Sequence, residues 1–137
     1  MRNIVETKEF VWNLTTRELA EQMNETSASI PHGEDEFLRA GLTAVAGRKV
    51  KASLVAESPV NFECRLSQCI QLTAADGTAI DTWLVLGEVV AVHIDESLLK
   101  DGIYQTALAK PVLRAGGPSA YYTIDETHRF DMIRPDA

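Results

Sequence analysis

The sequence predicts an all-β fold, a small barrel or strongly curled sheet with short peripheral helices. Three observations carry that expectation. Val60–Thr73 alternates along its length, with Val60, Phe62, Cys64, Leu66, Ile70 and Leu72 on one side and Asn61, Glu63, Arg65, Ser67, Cys69 and Gln71 on the other. Only Gln68 breaks the apolar set, so the segment reads as a long half-buried antiparallel strand. Residues 80–94 are apolar on both faces, which predicts a strand placed centrally or curled around a closed core. Ala75-Asp76-Gly77 is a turn signal that joins the two, and shorter strand-like segments come before them.

Taken in order, residues 9–14 are rich in aromatic and β-branched side chains and predict the first strand. Thr15-Thr16-Arg17-Glu18 reads as a capping box: Thr15 accepts from the third helical amide and Glu18 reaches back to the Thr15 amide. The helix it opens is expected to run to about Asn24, with Leu19 and Met23 on one face. Residues 24–33 carry no periodicity and read as a loop. A short acidic helix follows over residues 34–39, stopped at Gly41. Weak strand signals lie at residues 42–45 and 52–55. Beyond the long pair, residues 95–102 read as one helical turn ended by Gly102.

The chain has 137 residues, which fits a single domain over residues 1–137. Hydrophobic residues make up 45% and charged residues 24%, a globular composition that argues against disorder. The formal net charge of −7 disfavours nucleic acid, whose binding rests on Lys and Arg neutralising phosphates, and no basic cluster is present to dock on anionic lipid. The longest apolar run, residues 83–94, is interrupted by Glu88 and His93 and is too short to span a bilayer. The first residues carry no signal-peptide core, so a cytoplasmic location is expected. Cys64 and Cys69 lie five apart on one strand and point to opposite faces, which argues against a disulfide or a zinc site.

Several ordered segments carry a resemblance. Phe10-Val11-Trp12-Asn13-Leu14 is similar to F-V-V-N-L. Asn24-Glu25-Thr26-Ser27, then Asp35-Glu36-Phe37 and Ala40-Gly41-Leu42, is similar to N-x-T-S … D-E-F-x-x-A-G-L. Residues 57–64 are similar to A-E-S-P-V-x-x-E-C, and residues 87–93 to G-E-V-x-x-x-H. Arg114-Ala115-Gly116-Gly117 with Tyr121, and the closing Arg134-Pro135, complete the series. In order and spacing this resembles the flavin reductase-like family, and the resemblance implies an FMN-binding split barrel. Asn3-Ile4 aligns with a helix that in relatives follows a K-D-T motif. The part of the domain before it, with P-R-P and N-x-A-P-F-S segments near the flavin, is therefore expected to be missing, leaving the barrel incomplete at its N-terminal side.

The resemblance implies two groups of cofactor-binding residues. Asn24, Thr26 and Ser27 stand in a polar loop and either approach the flavin or its phosphate, or simply terminate the helix. Arg114, Gly116, Gly117 and Tyr121 either let backbone and an aromatic ring approach the flavin, or form a turn whose Tyr packs on the barrel. Glu88 is expected to bond Arg65 across the hairpin. No catalytic residue is assigned; His93 is a candidate near a nicotinamide or acceptor site. Glu34-Asp35-Glu36 reads as a solvated helix start, and no metal site is expected.

The implied activity is oxidation of NADH or NADPH by hydride transfer to FMN, with reduced flavin passed to an acceptor or a partner monooxygenase. The flavin carries such chemistry, so no acid–base constellation need appear. The alternative is a flavin-binding or electron-carrying protein without catalysis, or an inactive fragment. Relatives bind FMN at a dimer interface, so a homodimer is expected. With the upstream segment absent, FMN binding is expected to be much weaker than in a full-length relative.

Overall fold

The structure, a computed structural model, describes residues 2–31 and 33–135. Met1 and His32, the latter within the expected 24–33 loop, lie outside the described residues, as do Asp136 and Ala137.

A three-stranded antiparallel sheet dominates: β1 (Glu9–Asn13), β4 (Val60–Thr73) and β5 (Ala79–Ile94), in the order β1-β4-β5. β1 pairs only with the first part of β4, Glu9 opposite Arg65 through Asn13 opposite Asn61. β5 runs beside β4 for its whole length, so the far half of the β4–β5 hairpin extends past β1. The turn between them closes as read: the Gly77 amide donates to the Ala74 carbonyl, Asp76 accepts from Thr78, and Gly77 takes φ 86°.

Two short antiparallel pairs form where the weak strand signals stood and just beyond the long strands. β2 (Ala44–Val45) pairs with β3 (Leu54–Val55), and β6 (Leu99–Lys100) with β7 (Ile103–Tyr104). A third pair, β8 (Val112–Arg114) with β9 (Tyr121–Thr123), closes the series. The helices are short and peripheral: α1 (Arg2–Thr7), α2 (Ala20–Glu25) and α3 (Glu36–Ala40). α3 ends at left-handed Gly41, the stop its sequence predicts, but starts later than the expected residue 34, with Asp35 as the cap whose side chain accepts from the Phe37 amide.

Four expectations are corrected. β5 is an edge strand, not a central one; its apolar side chains lie largely open, with Trp83, Leu84, Leu86, Val89 and Val92 each 40% or more exposed. Its two apolar faces therefore reflect uncovered surface rather than layers above and below. The polar side of β4 is not solvated throughout, because Asn61 is buried and Glu63 fully so. The capping box does not form: Thr15 offers its carbonyl to the Val112 amide, Thr16 Oγ1 accepts from Leu19, and α2 starts only at Ala20. Gly102 does not stop a helical turn. That turn spans Glu96–Leu98, capped by Asp95, and Asp101 with Gly102, both at positive φ, form the two-residue turn of the β6–β7 hairpin.

The alternation along β4 is also interrupted. The register slips between Leu66 and Gln68, leaving Ser67 as an extra residue. Gln68, the lone break in the apolar set, falls at this bulge. The buried core is small: Val60, Leu98 and Ala109, with Leu14, Phe62, Ile94 and Tyr104 packed against it, lie where the near end of the sheet meets the 95–110 segment.

Candidate functional site

Backbone stitching creates a broad concave surface. The segment 15–17 lies beside residues 110–112: the Arg17 amide donates to the Lys110 carbonyl, Thr16 bridges Pro111, and the Val112 amide donates to the Thr15 carbonyl. This holds α2 against the β8–β9 hairpin although they are far apart in sequence. Between them opens a cleft of about 1060 Å³. Asn24 of α2, Arg114 of β8 and Tyr121 of β9 line it together, with Arg17, Glu21 and Glu25 as further charged groups.

The remaining sequence-derived candidates fall elsewhere. Thr26 lines a separate cavity of about 180 Å³ under α2, and its hydroxyl donates to the Met23 carbonyl. The Ser27 hydroxyl donates to the Asn24 carbonyl. Both hydroxyls are thus satisfying the open carbonyls of a helix end. Gly116 and Gly117 are outside the cleft lining, and Gly117 sits in the β8–β9 turn at φ 79°. Arg114 braces that turn by donating to the carbonyls of Gly117, Pro118 and Ala120, and its guanidinium lies 4.9 Å from the Tyr121 ring centre. Its donors are largely spent on backbone. Arg17, which the sequence reading passed over, is an exposed cation on the cleft wall.

A second polar centre lies on the sheet. Glu63 has no exposed surface. Its carboxylate accepts from the backbone amides of Arg48, Lys49 and Val50 at 2.9, 2.6 and 2.9 Å, and from His93 Nε2 at 2.6 Å. Burial alone pushes this carboxyl up; the amides and the histidine outweigh burial and hold it down to about 2. An ionised carboxylate only accepts, so Nε2 of His93 carries the proton and its tautomer is set. Gly47 makes the nest possible, because a Cβ there would stand 2.6 Å from the Val50 carbonyl oxygen and 2.9 Å from Glu63 Oε2.

The same anchoring recurs along the 43–58 excursion. Glu57 accepts from the Thr43 amide, Glu9 from Lys51, and Asn13 from Val55 and Asn61. Ser58 donates to Leu14 and Val60 carbonyls. The residues that carried the resemblance in segments 57–64 and 87–93 therefore hold loop to sheet. His93 pairs with Glu63 and does not line the cleft. Glu88 stands opposite Arg65 in register as anticipated, but it is exposed and no ion pair joins them, since a solvated carboxylate needs no protein partner. Among the described residues no cluster of three metal-ligating side chains forms, and no helix is long and apolar enough to cross a membrane.

Known proteins share this sequence pattern and fold. The profile described as flavin reductase like domain matches residues 1–113. The uncharacterised protein YwrF of Bacillus subtilis (strain 168) is 35% identical over 137 residues, spanning 98% of this chain and 64% of that protein. The crystal structure of nitrilotriacetate monooxygenase component B from Bacillus cereus superposes with a TM-score of 0.85 at 29% identity, covering 96% of this chain and 63% of that one. A proposed flavin reductase with a split barrel domain from Shewanella frigidimarina NCIMB 400 gives 0.79 at 28% identity, covering 96% and 64%. The chain thus spans less than two thirds of each of these proteins.

Proposed function

We propose a function from one premise: the chain belongs to the flavin reductase like domain family, and its fold is the split barrel. In this reading residues 1–137 are one domain of a cytoplasmic flavin-binding oxidoreductase. FMN is the cofactor, NADH or NADPH the hydride source, and an acceptor or a monooxygenase component the destination of reduced flavin. The bound flavin supplies the redox chemistry.

The observation that carries the reading is the cleft, where Asn24, Arg114 and Tyr121 converge from two distant segments. The residues present fit one part of FMN and not another. Tyr121 presents a half-exposed aromatic face, and Asn24 an amide, to a flat heteroaromatic ring. A phosphate dianion needs several converging donors. Here Arg114 is engaged by three carbonyls, the Thr26 and Ser27 hydroxyls cap a helix, and Glu21 and Glu25 add negative charge. Among the described residues that line the cleft, Arg17 is the cation left for the phosphate.

Titration of the purified chain with FMN, followed by flavin fluorescence, tests the reading. Weak, saturable binding that Tyr121→Ala reduces about tenfold or more is expected, with slow FMN-dependent oxidation of NADH or NADPH. Absence of binding at millimolar FMN overturns it. Binding without nicotinamide oxidation leaves the electron-carrier alternative, and purification with stoichiometric FMN would show that the donors present suffice to hold the phosphate.

A homodimer belongs to the same proposal. The chain exposes 10406 Å² of surface. Part of it is apolar surface along β5, of the kind that favours self-association.

A further inference from the structure

We propose that Arg114 is a positioning residue of the cleft: it seats the Tyr121 ring for stacking on the flat ring system of a flavin and does not bind the flavin phosphate. The inference rests on the flavin reading above. Arg114 and Tyr121 stand directly opposite each other in the β8–β9 ladder, so their side chains share one face of the hairpin. The guanidinium carbon lies 4.9 Å from the ring centre, close enough for the cation to be held on the π face. The ring is half-exposed and lines the cleft. With the cation on one face, the other face is the one left for a flat ligand.

The turn between the two strands fixes the guanidinium. Nη1 donates to the Ala120 carbonyl at 3.1 Å, and Nη2 donates to the carbonyls of Gly117 and Pro118 at 3.2 and 3.0 Å. The Ala115 amide closes the same turn on the Ala120 carbonyl at 3.0 Å, and Gly117 takes the left-handed φ of 79° within it. These carbonyls belong to the residues that lead into Tyr121. One side chain therefore sets both the path of the backbone into Tyr121 and the seat of its ring. A planar fork with fixed donor directions can do this, whereas an ammonium is a point charge on a flexible stem. Both N–H groups of Nη2 are taken up by carbonyls, which leaves that nitrogen nothing to offer a phosphate.

Titration of the protein and its variants with FMN and with riboflavin, which lacks the phosphate, tests the assignment. Arg114→Lys keeps the charge and loses the fork. It is expected to weaken both flavins alike, by about tenfold, as Tyr121→Ala does. In a double-mutant cycle the Arg114→Lys/Tyr121→Ala protein should bind no more weakly than either single variant, because the arginine acts through the ring. Proton NMR of the flavin-free protein gives a readout independent of binding: the Tyr121 ring signals should move in Arg114→Lys while circular dichroism stays that of the intact protein. Arg114→Gln repeats the cycle should the lysine variant fail to fold. A loss confined to FMN places Arg114 on the phosphate, and losses that add show that it acts apart from the ring; either overturns the positioning role. Full binding by Arg114→Lys, or Tyr121 signals that stay in place, overturns it as well. All of these leave the flavin reading standing, whereas an intact chain that binds neither flavin overturns that reading and this inference with it.

Discussion

At Glu63 a carboxylate loses all contact with water and recovers four hydrogen-bond donors in exchange. Removing one partner of a buried charged set costs far more than the set contributes over an apolar substitute. Glu63→Gln keeps the shape but replaces one accepting oxygen by an amide that points donors at donors. It is expected to lower the thermal midpoint by about 10 °C or more, read by circular dichroism. The pH dependence follows from the carboxyl being held at about 2 when folded, below its ordinary 4.5. Between those values the unfolded chain takes up the proton and the folded chain does not, so stability falls as pH falls through this window. The stability difference between wild type and Glu63→Gln is expected to be full above pH 5 and to shrink toward pH 2. A difference that stays constant over that range would contradict this assignment. In the sequence Glu63 reads as an outward-facing strand residue; a carboxylate flanked by apolar neighbours carries no local mark of the loop that returns to enclose it.

At the scale of elements, the β1–β4–β5 sheet depends on one glycine. A Cβ on Gly87 would stand 2.5 Å from Phe10 Cζ and 3.2 Å from Cys64 Cβ, so the Phe10 ring occupies the space a side chain would take. Gly87→Ala is expected to destabilise the fold by about 1–3 kcal/mol, the ordinary cost of overpacking. Because the clash is with Phe10, the cost should fall when Phe10→Ala is present, and a double-mutant cycle in urea measures that coupling. Additive effects would place the strain elsewhere. The boundaries of both long strands were legible, since period-two alternation and the Asp76-Gly77 turn are local signals. The edge position of β5 was not, because an apolar strand reads alike whether layers cover it or nothing does.

For the whole molecule the governing quantity is surface against core. Six apolar residues are buried among the described residues: Val50, Leu54, Val60, Cys64, Leu98 and Ala109. So small a core gives little margin over the conformational entropy of the chain. Folding coupled to association makes stability depend on protein concentration. The thermal midpoint is therefore expected to rise by several degrees between about 1 and 100 µM chain, and a midpoint independent of concentration would show a fold that stands alone.

The sequence by itself determined the all-β class, the long hairpin with its turn, the Gly41 stop of α3 and the family, because each rests on periodicity, on turn and cap chemistry, or on ordered short motifs. Tertiary structure decided which faces are covered. It put β5 at an edge, wrapped the 43–58 excursion around Glu63, and turned the expected Thr15 cap into a backbone link with Val112. It also sorted the candidate residues: Asn24, Arg114 and Tyr121 share a cleft with Arg17, while Thr26, Ser27, Gly116 and Gly117 stand apart from it. The physical reason is common to all of these. Periodicity and capping act between residues a few positions apart, whereas burial, a nest of amides around an anion and the walls of a cleft are made by segments dozens of residues apart, whose meeting only the folded chain specifies.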